Sequence, residues 1–412
     1  MIKKTENNRI IQNLIALRGN ILFIIYNRIK RWGDFYFFGK SYRKMTVFGA
    51  SRTYPEEVQY NVLEKKLLSK VYIPEYSGGG TVKKIVSLEI PDRYTAIIRD
   101  CKIVGGCSFV LKNENIIYDL ACDKESFRYD LNRGEYVYHK KNKLKIKSNY
   151  SNENSYSKGI LLCSFAANNY FHFIFAAMTK LALINGIPQF DDWPLFLDKK
   201  AYDISSLREL LGFLNKTNRN VIVIDEGEVC KVDELLIVSD SLFLPDNVYG
   251  RLRIRDFRMD WENVLLLREA CINNITTVNS NMPRRIFLAR KNNQRIVNMS
   301  EIENLFIKYG FEIVFCEDLS FREQVRLFNN AEFVAGPTGA AMTNILFCNP
   351  GTKFICLIPK KSRFYSYSTI AGNLGLKSIF VDGKVINKSR YVARWEYVCS
   401  AKECENAIEK LM

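Results

Sequence analysis

Histidine is nearly absent from this chain, with two residues in 412. Eleven cysteines are present, but Cys101/Cys107 and Cys399/Cys404, the near neighbours, lack C-x-x-C spacing. A zinc site of the Cys/His kind is therefore not expected. Most other cysteines, such as Cys163, Cys316, Cys348 and Cys356, lie in apolar runs. They read as free buried thiols of a reducing cytosol. Long hydrophobic runs are also missing. None reaches the roughly 18 residues of a membrane span, and Ile21 to Tyr26 is closed off by Arg28, Lys30 and Arg31. The first residues lack a compact apolar core followed by a small-residue cleavage site, so no secretory signal is expected. No zinc-finger or RNP-like motif occurs, which leaves nucleic acid without support as a partner.

What is present is the balance of a soluble globular protein, 47% apolar and 25% charged, long enough for two domains. The net charge of +16 is unevenly spread. Residues 1–45 hold ten Lys/Arg against two Asp/Glu, a net +8. The same segment carries Ile10, Ile11, Leu14, Ile15, Leu17, Ile21, Leu22 and Ile25 at helical spacing, followed by Trp32 and Phe35 to Phe38. Such a basic amphipathic helix suits an anionic membrane surface. It equally suits a helix packed on its own domain with a solvated basic face.

Residues 76–150 read as β-rich, with short strands Tyr94–Ile98, Cys101–Val104, Ser108–Leu111 and Asn115–Tyr118 separated by turns at Arg99-Asp100, Gly105-Gly106 and Lys112-Asn113. From about 158 strands and helices alternate: Gly159–Phe165, helix Asn169–Ile184, Pro194–Leu197, helix Ser205–Leu214, Val221–Ile224, Leu235–Val238, and a helix from Trp261 to Asn274. A polar stretch, Asn273–Asn281, marks a boundary. Past it the alternation is cleaner: Arg285–Ala289, Phe311–Phe315, Glu332–Ala335, Phe354–Ile358 and Ser378–Val381 as strands, with a Thr369–Leu374 helix before the last and Lys402–Met412 as a closing helix. Asn298 with Glu301, and Ser320 with Glu323, have capping-box spacing at two helix starts. Units of this kind give doubly wound parallel sheets. The expected organisation is α/β: a basic segment 1–45, a first domain 46–277 (β-rich 76–150, αβ 158–277) and a second αβ domain 278–412. Two αβ halves around a cleft suit a two-substrate transferase.

The segment Ala335-Gly-Pro-Thr-Gly-Ala-Ala-Met-Thr-Asn-Ile-Leu-Phe347 carries the strongest chemical signal. A strand entering a Gly-rich turn that opens a helix leaves backbone N–H groups at the positive end of the dipole, where phosphate binds. The same unit also occurs as plain architecture. Arg290, with Lys291 and Arg295 after it, ends one neighbouring strand, and Glu317 ends another. Arginine forks onto diphosphate oxygens, and a strand-end carboxylate binds ribose hydroxyls. His172, in the first turn of a helix, is placed to accept a proton or to serve as a structural hydrogen-bonder among Tyr170, Phe171 and Phe173. His139 has no such context. Asp225-Glu-Gly-Glu228 has the look of a metal-holding carboxylate pair or of a polar loop, and Asp191-Asp192 is a second such pair.

Together these blocks resemble glycosyltransferase family 61, including its bacterial capsule and lipopolysaccharide members, over roughly 90–360. Asn169-Tyr-Phe-His-Phe173 is similar to the family's N-Y-x-H-W helix. Phe287 to Arg290, with Arg295 and Asn298, resembles its strand-Arg and R-x-x-N-E. Gly310 to Val314, Glu317, Leu319 to Phe321 and Gln324 resemble its G-F-x-x-V, E-x-L-S-F and E-Q series. Gly336 to Ala340 with Thr343, Asn344 and Phe347 resembles G-x-H-G-A-x-x-x-N-x-x-F. Thr338 stands where the family has histidine, Phe173 for tryptophan and Met299 for glutamate. The resemblance implies a GT-B architecture, a nucleotide-sugar donor (a UDP-sugar first among them) held by the second domain, no metal or other cofactor, and inversion at the anomeric carbon. Arg290, Arg295, Asn298, Glu317, Gly336, Thr338, Gly339, Ala340 and Asn344 would bind the donor, and His172 would be the base. The acceptor would be a surface polysaccharide or lipid-linked glycan, and the enzyme cytoplasmic, held at the inner membrane through residues 1–45. The three departures leave open a degenerate member that binds glycan or a partner protein without catalysis.

Overall fold

The computed structural model describes residues 40–78, 84–122, 131, 136–140, 143–146, 154–244, 252–275, 282–292, 295–362, 364–388 and 395–412. The basic segment expected at 1–45 therefore falls almost wholly outside the described residues. So do residues 276–281 of the expected boundary stretch Asn273–Asn281.

The first half is built on a nine-stranded sheet. Four parallel strands lie in the order Val221–Ile224, Leu195–Asp198, Asn154–Leu161, Val229–Val238. Arg93–Val104 then runs antiparallel to the last of these. It is one twelve-residue strand, where two short strands and an Arg99-Asp100 turn were expected. Asp100 takes a positive φ of 45° without ending the ladder. The buried Lys112 donates its Nζ to the carbonyls of Arg99 (2.7 Å) and Asp100 (3.3 Å). The kink lets one strand serve two partners on the same edge: residues 93–98 pair with Val58–Glu64, and 102–103 with Val110–Lys112.

The helix expected over Asn169–Ile184 forms, but it is wound wider over Phe173–Met178, a π turn. Thr179 shows how: its N–H bonds Ile174 O, five residues back, while its hydroxyl takes the Phe175 carbonyl at 2.8 Å. A side-chain hydroxyl thus satisfies the carbonyl that an ordinary helix would leave to the backbone.

The second half carries five parallel strands, in the order Glu312–Val314, Arg285–Leu288, Phe333–Pro337, Lys353–Pro359, Lys377–Asn387, and an antiparallel edge strand Glu396–Val398. In chain order the parallel strands stand 2-1-3-4-5. That order reverses between Arg285–Leu288 and Phe333–Pro337, and ligands of open α/β sheets bind at the carboxyl ends of the strands flanking such a reversal. Ser320 caps the helix Phe321–Asn330 with the expected reciprocal Glu323 bonds. Asn298 does not cap Met299–Lys308: its side chain instead clasps the backbone of Cys399, donating to its carbonyl (2.8 Å) and accepting from its N–H (3.1 Å).

The halves share one apolar core that runs from Val71 through the helices 170–184, 205–214 and 261–273 to Phe321, Phe347 and Phe380. Polar contacts cross with it. Glu209 accepts from the N–H of Phe321 (2.6 Å) and of Arg322 (3.3 Å), so the first half helps cap a helix of the second. Arg268 donates to Leu346 O and Cys348 O, each at 2.9 Å. A hairpin of the first half, Leu68–Ile73 with Lys84–Glu89, lies on the helix Ser366–Leu374. Gly372 makes room for it, since a Cβ there would sit 2.3 Å from the Tyr72 ring. No helix among the described residues is long and apolar enough to cross a membrane. None of the eleven cysteines forms a disulfide, and all but Cys122 are buried.

Candidate functional site

The site is built where the second sheet reverses its order. The strand Phe333–Pro337 is buried at every position and continues through Gly336 and Pro337, two residues further than expected. Gly336 holds φ of 151°, a conformation that side chains resist, and a Cβ there would lie 2.7 Å from Leu288 O. Its glycine identity thus serves the close approach of the two strands that flank the reversal. Thr338 is buried, and its N–H donates to Leu357 O at 2.8 Å. Its carbonyl is left to side chains.

Two arginines meet on that carbonyl. Arg290 donates from Nη2 at 3.2 Å, and Arg295 donates from its own Nη2. Arg295 is 8% exposed. Two like charges near one oxygen repel by on the order of 3 kcal/mol at an effective dielectric constant of about 20. Burial, then the field of Arg295, pulls the Arg290 guanidinium below its ordinary pKa. Among the described residues Arg290 forms no ion pair. A bound polyanion would relieve this frustration. Gly339 completes the cradle, since the Arg290 guanidinium occupies the place where a side chain would be.

Beyond Gly339 the chain winds into a helix, but a tight 3-10 one, Ala340–Phe347. Between Phe333 and Cys348, Gly339, Ala340 and Ala341 alone are not buried. Such a helix leaves its first N–H groups without intrahelical acceptors. Those groups stand at the partly exposed residues Gly339 to Ala341, beside the arginine pair. Where the sequence points to Thr338 to Ala340, the free N–H groups are those of Gly339 to Ala341, because that of Thr338 is bonded to Leu357 O.

The remaining expected donor residues divide. Glu317 is exposed, in the short turn Cys316–Asp318 after the strand Glu312–Val314, close enough for its charge to act on Arg290. Lys291, beside Arg290, pairs with Asp318. Asn298 faces Cys399 rather than the crevice. Asn344 is wholly buried beneath the cradle, donating to Gln324 Oε1 at 2.8 Å and accepting from the Tyr170 hydroxyl at 2.5 Å.

His172 comes from the first half, on the turn capped by the Asn169 side chain. Its ring stands edge-on to Phe171 (centroids 5.3 Å apart), and Phe171 stands edge-on to Tyr367 (6.2 Å). The Tyr367 hydroxyl donates to Gly339 O at 2.6 Å. Two ring contacts and one hydrogen bond thus join the histidine to the cradle. Tyr367 was not anticipated, and neither was the Tyr170 hydroxyl. Tyr170 stands two residues before His172 in a block already singled out, whereas no local pattern around Tyr367 marks it.

The acidic loop is engaged elsewhere. Glu228 accepts from the N–H of Asp225 (2.9 Å) and from Asn154 Nδ2 (2.7 Å), so it closes its own turn. Glu226 meets Tyr136 and Lys200. Asp191 pairs with the buried Arg219 at 2.9 Å, and Asp192 with Lys158. His139 sits in the hairpin strand Val137–Lys140, paired with Leu144.

Residues 170–355 match the family described as Glycosyltransferase 61. No curated protein matches the chain. The matched span opens at Tyr170, one residue after the cap of the His172 turn, and closes inside the strand that runs beside Phe333–Pro337. It therefore takes in His172, both arginines and the Gly339 turn. The region that carries both His172 and the arginine pair is thus similar to glycosyltransferase family 61, and the activity that the match indicates is glycosyl transfer.

Proposed function

We propose that this glycosyltransferase takes its sugar from a nucleotide-sugar, a UDP-sugar first among the candidates, and passes it with inversion to a capsular or lipopolysaccharide acceptor. The observation that carries the donor reading is the convergence of Arg290 and Arg295 on the Thr338 carbonyl, beside the open N–H groups of Gly339 to Ala341. A diphosphate offers the charge and the acceptor oxygens that this arrangement leaves wanting. Glu317 would hold the ribose. In a GT-B arrangement, residues 278–412 bind the donor and 46–277 face the acceptor. The arginine pair meets the diphosphate charge, so no metal ion is required in this reading. Residues 1–45 would hold the enzyme to an anionic membrane on its cytoplasmic side.

In the reaction, His172 takes the proton of an acceptor hydroxyl, whose oxygen attacks the anomeric carbon as the bond to the diphosphate oxygen breaks. His172 Nδ1 is buried, which points to Nε2 as the atom that receives the proton. Arg290 and the N–H groups then stabilise the charge that grows on the departing diphosphate, an interaction stronger in the transition state than before it.

Calorimetric titration with UDP, GDP, CMP and CDP, with and without EDTA, tests the donor reading. Binding of one nucleotide that survives EDTA supports it and names the donor class. Binding of none leaves the non-catalytic glycan- or partner-binding alternative. Deleting residues 1–45 should release the enzyme from anionic vesicles, and unchanged co-sedimentation would rule out the anchor.

A further inference from the structure

The three substrate-facing elements come from distant stretches of chain, yet one buried line of hydrogen bonds joins them. Tyr170, on the His172 turn, donates its hydroxyl to Asn344 Oδ1 at 2.5 Å. Asn344 lies three residues past Ala341 in the 3-10 helix, and residues three apart eclipse in such a helix. It therefore sits beneath the open N–H groups of the cradle. Asn344 Nδ2 donates to Gln324 Oε1 at 2.8 Å. Gln324 Nε2 in turn donates to the carbonyls of Cys316 (3.0 Å) and Leu319 (3.1 Å), which bracket Glu317. Asn344 is 0% and Gln324 5% exposed.

The line has one polarity. Its far end is two carbonyls, which only accept, so Gln324 must present its NH2 there and its oxygen to Asn344. Asn344 must then present its NH2 to Gln324 and its oxygen to Tyr170, which must donate. Reversing any amide would set oxygen against oxygen in a buried site, at the cost of an unmade hydrogen bond. The relative position of the three elements is thereby fixed by groups that touch neither substrate.

We infer that Tyr170 is a positioning residue: through Asn344 and Gln324 it registers the His172 turn against the elements that hold the donor, so that donor occupancy is felt at the histidine. This rests on the donor reading above. Tyr170→Phe cuts the line between His172 and the cradle and leaves Asn344–Gln324 intact. Gln324→Met cuts it on the Glu317 side and leaves the Tyr170 contact.

The chain has two histidines, so His172 gives one of two imidazole NMR signals, assigned by its loss in His172→Gln. The probe is whichever of UDP, GDP or CDP binds the wild-type chain. Saturating nucleotide should shift the His172 signal of the wild type. In folded Tyr170→Phe, nucleotide affinity should stay within about threefold while that shift falls below about half. In folded Gln324→Met, affinity should fall about tenfold while the shift at saturation persists. A full shift in Tyr170→Phe overturns the inference, as does a tenfold loss of its nucleotide affinity, which would mark Tyr170 as a plain structural prop of the cradle. A wild-type chain that binds none of the nucleotides removes the donor reading itself. A failed coupling with nucleotide bound removes only the inference.

Discussion

A Cβ on Gly339 would lie 1.5 Å from Arg290 Nη2 and 2.6 Å from its Cζ. The φ of Gly339 is 168°, extended backbone that any residue adopts, so its side-chain-free state serves the arginine and not the chain. Gly339→Ala should therefore displace the guanidinium while leaving the fold intact. The expected outcome is a thermal midpoint within a few degrees of wild type, with nucleotide affinity lowered as far as Arg290→Ala lowers it. Calorimetry beside a melting curve checks both, and an alanine chain that binds normally would show that Arg290 is not part of the cradle.

Arg290→Ala removes one of two converging charges. Hydrogen bonds to charged groups contribute about 1.5–3 kcal/mol, so nucleoside diphosphate affinity should fall on the order of 10- to 100-fold. Arg290→Lys should recover only part of this, because a point charge cannot reach both the Thr338 carbonyl and a phosphate as a planar fork does. The free protein should tolerate Arg290→Ala well, since the change relieves the repulsion with Arg295. Lowered affinity with unchanged or raised stability is the signature of a built anion site, and equal losses of both would argue for a structural arginine.

The two capping boxes show what the sequence could reveal and where it stopped. Ser320–Glu323 closes as its spacing implies, because all its partners lie within one turn. Asn298–Glu301 has the same spacing and fails, because the backbone of Cys399, some hundred residues away, competes for the asparagine. Strands were legible wherever apolar runs were unbroken, as at Val221–Ile224. Arg99-Asp100 misled because a polar pair inside a strand reads as a turn, while the kink it makes depends on Lys112 from the next hairpin. Arg290, Glu317 and the 335–347 segment could be picked out as strand ends. That the first and third strands of this half are neighbours, which is what brings Arg290 to Gly339, is a fact of pairing that no local pattern encodes.

Ser320 also gives a pH prediction. Its hydroxyl, and then its N–H, hold the Glu323 carboxyl below its ordinary pKa of about 4.5. A carboxylate whose folded pKa is lowered adds stability above the unfolded value and loses it as pH falls through the folded one. Ser320→Ala should cost about 0.5–2 kcal/mol at neutral pH, the usual loss of a helix cap. The gap between variant and wild type should then narrow as pH drops below about 4.5. Urea midpoints measured at neutral pH and in acid decide it, and a constant gap would mean that Glu323 plays no part in the cap.

His172 comes from the first half and Arg290 follows a strand of the second, so their loss should register in different quantities. In the proposed reading Arg290 acts on the donor whether or not an acceptor is present. His172 meets the cradle through Phe171 and Tyr367. His172→Ala should leave nucleotide affinity within about threefold of wild type. Turnover with acceptor should fall about 10²- to 10⁴-fold, the range for loss of a general base. Turnover within a few-fold of wild type in His172→Ala, beside its abolition in Arg290→Ala, would move the base to another group of the first half and leave the donor site where it stands.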